Sequence, residues 1–221
     1  MDPSGHANLI PAPEIAAGTE LDLNRDYTII VDKSGSMSGK RWREAEEAVK
    51  LIAPRVCEFD ADGISLYFFS SNVVEFQNVK SGEDVMRLFK ENKPGGTTNL
   101  SKALEEAVMP DNWITTKSGK HKRKPETILV VTDGEPDNKI HVEKVIIDAA
   151  NALGDDNELS ITLIQVGDDK DAAVWLKKLD EELQSGHSTA GTARIDIVDT
   201  LRINDLKVMH FHDLVRRSIY D

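Results

Sequence analysis

The 221-residue sequence predicts an α/β protein: a doubly wound, mostly parallel, Rossmann-like sheet with one antiparallel edge strand and helices on both faces. Three observations predict it. Short, β-branched, uncharged runs alternate with segments of three- and four-residue apolar periodicity, the pattern of strands joined by crossover helices. Two of those runs are separated only by Ser70-Ser71-Asn72. That gap is too short for a parallel crossover, so the pair forms an antiparallel hairpin at an edge. Finally, carboxylates follow two of the strands directly, at the carboxyl ends where open α/β sheets place their sites.

Each element follows from its local pattern. Residues 27–31, Tyr-Thr-Ile-Ile-Val, read as a strand buried on both faces. Residues 40–59 carry Trp42, Ala45, Val49, Ile52 and Val56 on one helical face, with Pro54 expected to kink the helix or end it early. Asp62-Gly63 turns the chain into strands at 64–69 and 73–79. Ser81 caps a short helix bearing Val85, Met86, Leu88 and Phe89. After Pro94-Gly95-Gly96-Thr97-Thr98-Asn99 a further helix starts near Asn99 or Leu100, and Trp113-Ile114 is expected to pack against the body. Residues 117–125 read as a basic, solvated linker. A buried strand at 126–133, a helix at 140–153 with Gly154 as its C′ residue, a strand at 159–166 and a helix at 171–183 follow. The last strand is expected at 195–198 and the last helix at 206–219, with Val208, Phe211, Leu214 and Val215 facing inward.

Composition narrows the function classes. A formal net charge of −12 disfavours nucleic acid and anionic membranes as partners. No stretch approaches the ~20 apolar residues of a spanning helix, so no membrane span is expected. The single cysteine, Cys57, excludes an internal disulfide and reads as a small core residue. The first twenty residues are rich in Pro, Ala and Gly and lack a signal-like apolar run, so a cytoplasmic location is expected. Residues 1–24 are read as a flexible or extended arm and 25–221 as one domain.

Three separated pieces carry the chemistry. Asp32, Ser34 and Ser36 follow the first strand, Thr97 or Thr98 opens a helix after a Gly-rich turn, and Asp133 ends the strand that begins at Glu126. Adjacent parallel strands would bring Asp32 and Asp133 to one rim. Carboxylates and hydroxyls together suit a hard cation such as Mg²⁺ or Ca²⁺ and offer nothing to zinc or copper.

These residues resemble the metal-ion-dependent adhesion site of von Willebrand factor A domains, whose pattern is Asp-x-Ser-x-Ser, a distant Thr, and an Asp after a hydrophobic strand. Asp32-Lys33-Ser34-Gly35-Ser36 matches the first part, Thr98 best fits the second with Thr97 as the fallback, and Val130-Val131-Thr132-Asp133-Gly134 supplies the third. The resemblance implies a Mg²⁺ site, with Ca²⁺ or Mn²⁺ as substitutes, whose metal ligands are Asp32, Ser34, Ser36, Thr98 and Asp133. It further implies direct ligation largely by neutral hydroxyls, which leaves the ion attractive to an Asp or Glu carboxylate of a protein partner. Intracellular relatives work beside separate ATPase, kinase or chaperone-like chains, and no phosphate-loop motif occurs here. Lys40 and Arg41, just after the first ligands, either steer an acidic partner or simply open a solvated helix.

The competing reading is a Mg²⁺-dependent phosphohydrolase on a similar sheet, with Asp32 as nucleophile. Such enzymes place a second acid two residues on, where this chain has Ser34, and Lys102 or Lys139 are its weak phosphate-holding candidates. Two further patterns read as bland. His210 and His212 point apart on a helix, and Gly154-Asp155-Asp156 and Gly167-Asp168-Asp169 are helix stops and starts.

Overall fold

The computed structural model describes residues 23–108, 113–116, 119–122, 124–134 and 136–220, with only the backbone of 113–116 and 119–122. Its strands are β1 (Asp26–Asp32), β2 (Ile64–Phe69), β3 (Val73–Val79), β4 (Trp113–Thr116), β5 (Gly119–Lys122), β6 (Glu126–Thr132), β7 (Leu159–Gln165) and β8 (Val198–Arg202). The helices are α1 (Lys40–Phe59), α2 (Gly82–Glu91), α3 (Leu100–Val108), α4 (Lys139–Ala152), α5 (Lys170–Glu181), α6 (Ile203–Leu206) and α7 (Phe211–Tyr220).

Six strands form the main sheet in the order β3-β2-β1-β6-β7-β8. Every pairing in it is parallel except β2 with β3 at the edge, as the short Ser70-Ser71-Asn72 turn requires. The chain runs outward from β1 to β2, then returns to β6 on the other side of β1. The topological switch therefore lies between β1 and β6, which pair in register from Asp26↔Glu126 to Val31↔Val131.

Strand alternation divides the core. Tyr27, Ile29 and Val31 join Leu129 and Val131 under α1, α2, α6 and α7. Ile30 joins Ile128 and Val130 on the opposite face, under α3, α4 and α5. Both faces are thus covered, which is why β1, β6 and β7 tolerate almost no exposed residue.

Several boundaries differ from those expected. Pro54 neither ends nor breaks α1, which runs to Phe59. Val49, Ile52, Ala53 and Val56 anchor the helix on both sides of the proline, and Gly82 lets the ring pack against the start of α2. The last strand lies at Val198–Arg202, beyond the apolar 195–198 run. Its polar residues are satisfied from afar: Asp199 by Arg217, and Thr200 by Asp180. The terminal helix is split into α6 and α7, and Val208 in the break is 70% exposed, while Leu214 and Val215 are buried as expected. Gly154 follows α4 without adopting positive φ, so it is no left-handed cap.

The expected basic linker contains β5, which pairs antiparallel with β4 just before it. The side chains of Trp113 and Ile114, and residues 1–22 of the arm expected over residues 1–24, lie outside the described residues. Leu23, at the end of that arm, packs against the first core cluster. Among the described residues no helix is long and apolar enough to cross a membrane.

Candidate metal centre

The carboxyl ends of β1 and β6 carry Asp32 and Asp133 to the switch point, and both are almost wholly buried. Asp32 closes β1. Its Oδ1 accepts from the Ser34 backbone N–H at 2.8 Å, and its Oδ2 from the Thr132 hydroxyl at 2.7 Å. Burial pushes the Asp32 carboxyl up to about 6. The Ser34 and Thr132 hydrogen bonds oppose this rise, and the nearby Asp133 charge adds to it.

Beyond β1 the chain makes one tight turn at Gly35–Met37 before α1. The turn sets the two serine hydroxyls against each other, with Ser34 Oγ 2.9 Å from Ser36 Oγ. Ser34 is buried whereas Ser36 faces solvent. Two backbone hydrogen bonds clamp this loop to the Gly-rich turn: Gly35 N to Gly96 O at 3.0 Å and Gly95 N to Lys33 O at 2.7 Å.

That clamp brings the threonines to the same rim, and the two differ. Thr98 is buried and braced through its backbone. Its N–H donates to Asp137 Oδ1 at 3.1 Å, and its carbonyl accepts from Asp137 N at 2.9 Å. Thr97 is exposed, and its backbone N–H donates to the hairpin residue Ser71. The geometry favours Thr98 of the two.

Asp133 shows the most informative arrangement. Its Oδ2 accepts from Arg41 Nη1 at 3.0 Å, and the same nitrogen donates to Ser36 O at 3.2 Å. Its Oδ1 is buried with no hydrogen-bond partner among the described residues. An ionised oxygen left bare inside a protein is costly unless something fills the space beside it. A hard cation, with carboxylates and hydroxyls already converging on one rim, fits that requirement.

Three contributors come from distant parts of the chain. Thr132, Asp137 and the Arg41–Asp133 pair act through contacts 39 to 100 residues apart in the chain. Only Arg41 had a visible cue, a cation soon after the Ser34–Ser36 pair.

A second carboxylate group occupies the other end of β1. Oxygens of Asp26, Asp60 and Asp62 lie within 4.8 Å of one another. Lys124, expected in a solvated loop, places its ammonium among them at 2.8, 3.7 and 3.5 Å respectively. A resident cation therefore already holds that cluster together.

Comparison with known proteins agrees with this architecture. The family model described as von Willebrand factor type A domain matches residues 26–196. Inter-alpha-trypsin inhibitor heavy chain H2 of Mus musculus is 26% identical over 167 residues, covering 72% of this chain and 17% of that protein. The chain thus spans under a fifth of that relative's length. Among solved structures, a von Willebrand factor type A protein from Catenulispora acidiphila superposes with a TM-score of 0.54 at 17% identity, covering 88% of this chain and 42% of that one. The manganese-loaded TRAP protein of Plasmodium vivax superposes with a TM-score of 0.54 at 14% identity, covering 84% and 71%. By the span of the family match, this chain belongs to the von Willebrand factor type A domain family.

Proposed function

We propose that the chain is a metal-dependent protein-interaction module. Asp32, Ser34, Ser36, Thr98 and Asp133 would hold one divalent ion, Mg²⁺ in preference to Ca²⁺ or Mn²⁺, and an Asp or Glu of a partner protein would complete its coordination. The observation that carries this reading is the buried Asp133 Oδ1, without a hydrogen-bond partner among the described residues, at the rim that also carries the two facing serine hydroxyls. Compact oxygen donors with few carboxylates suit Mg²⁺, which binds few protein ligands and keeps waters. The ion would supply a Lewis-acidic position for an outside carboxylate, with no bond-breaking step required. The manganese named for the Plasmodium vivax relative supports a divalent ion on this fold.

The phosphohydrolase reading is not favoured. A nucleophilic carboxylate needs a free oxygen facing substrate, whereas both Asp32 oxygens are hydrogen-bonded and the residue is fully buried. Lys102 pairs with Glu106 on its own helix, and Lys139 lies over the Trp175 ring.

Within this proposal the module acts in a cytoplasmic assembly with a separate ATPase, kinase or chaperone-like chain. Affinity capture from cell extract in Mg²⁺ and in EDTA, read by mass spectrometry, tests it. The reading expects a partner retained in Mg²⁺ and lost in EDTA or with Asp32→Ala. Identical capture under all three conditions would contradict it.

A further inference from the structure

Arg41 has a place built for it. It stands in the first turn of α1, and its side chain is 32% exposed. The stem crosses Gly167, just beyond β7, where an added Cβ would lie 3.0 Å from Arg41 Nε and 3.3 Å from its Cγ. Gly167 has φ +79° and donates its N–H to Glu44 Oε2 at 2.7 Å, so the floor under the arginine is held from α1 itself. At the far end, Nη1 joins Asp133 Oδ2 to the Ser36 carbonyl. Among the described residues Nη2 makes no hydrogen bond.

Asp137 accepts the Thr98 N–H and Asp169 caps α5 through two backbone N–H groups, so neither belongs to the candidate ligand set. Lys40 is turned to Glu44. Among the candidate ligands only Asp32 and Asp133 are carboxylates; their two negative charges equal those of one divalent ion, and Arg41 is the cation in direct contact with that set. Since Arg41 takes only Oδ2, it orients Asp133 and leaves Oδ1 free.

We propose that Arg41 is a resident counter-ion that keeps the metal-loaded site net positive, lowering its affinity for the metal and raising its affinity for an incoming carboxylate. The inference rests on the metal-dependent reading above and adds a partner-selecting residue to it. A cation beside a bound cation opposes the metal but attracts the anion that follows. Removing it must therefore move the two affinities in opposite directions. A purely structural arginine would instead weaken both, by letting Asp133 wander.

The full chain and its Arg41→Gln and Arg41→Lys variants can be titrated with Mn²⁺, the free ion being followed by electron paramagnetic resonance. Acetate binding to the loaded protein is then read from paramagnetic relaxation of its ¹³C carboxyl resonance. Arg41→Gln should bind Mn²⁺ about tenfold more tightly and acetate at least about threefold more weakly, with Arg41→Lys near wild type in both. Weaker Mn²⁺ binding by Arg41→Gln, or no change in either affinity, would overturn the proposal. Absence of Mn²⁺ binding by all three proteins would overturn the metal-dependent reading as well, and the blank wild type marks that case.

Discussion

Asp133 has one oxygen held by Arg41 and the other buried with no hydrogen-bond partner among the described residues, and the proposed metal site rests on this asymmetry. The following residue makes it sterically demanding. Gly134 has φ +91°, and an added Cβ would lie 3.0 Å from Leu176 Cδ1 and 3.1 Å from Ala172 Cβ. Gly134→Ala should lower stability by about 1–3 kcal/mol through backbone strain and this clash, read from urea unfolding. A midpoint equal to wild type would show that α5 can yield there. At this scale the sequence was informative wherever a ligand type recurred at short spacing. Asp32, Ser34, Ser36 and Asp133 announce themselves as oxygen donors after strands. Thr132 and Asp137 do not, because a threonine or aspartate that braces a ligand looks like any other polar residue until the chain folds.

Elements were legible to the extent that their stability comes from a buried face. Lys40–Phe59, Ile64–Phe69 and Val73–Val79 have the bounds their periodicity predicts. β8 escaped because its sequence, Val-Asp-Thr-Leu-Arg, hides two ion- and hydrogen-bonded residues inside a sheet-edge strand. Asp199 there meets Arg217 of α7 at 2.8 Å, and both are buried. This pair ties the last helix to the last strand. Removing one partner leaves a buried charge alone, so Arg217→Met should cost about 3–5 kcal/mol. Asp199→Leu combined with Arg217→Met should restore most of that loss, because the second change removes the stranded carboxylate. Chemical denaturation of the single and double variants measures the coupling, and simple additivity would contradict a desolvated pair.

Across the whole molecule, the sheet keeps its two carboxylate groups at opposite ends of β1. One is filled internally by Lys124, and the other is proposed to await a metal. The internal group predicts a pH response. Asp60 is pushed up to about 6, chiefly by burial; the Tyr27 N–H opposes the rise, the Asp62 carboxylate beside it adds to it, and Lys124 opposes it again. With the folded value above the unfolded one, the native state takes up the proton first, so stability rises as pH falls through 6. Melting temperature in EDTA should therefore increase by a few degrees between pH 7.5 and about 5. Asp60→Asn, which still accepts from Tyr27, should lose part of that increase while Asp32 supplies the rest. Parallel profiles would contradict the role given to Asp60. The central claim concerns the other end of the strand, and crystals of the protein soaked in Mn²⁺ test it most directly by anomalous scattering. The account predicts a single strong anomalous peak among Ser34, Ser36, Thr98 and Asp133, absent from Asp133→Ala crystals. No peak at that rim, or a peak only among Asp26, Asp60 and Asp62, would contradict it.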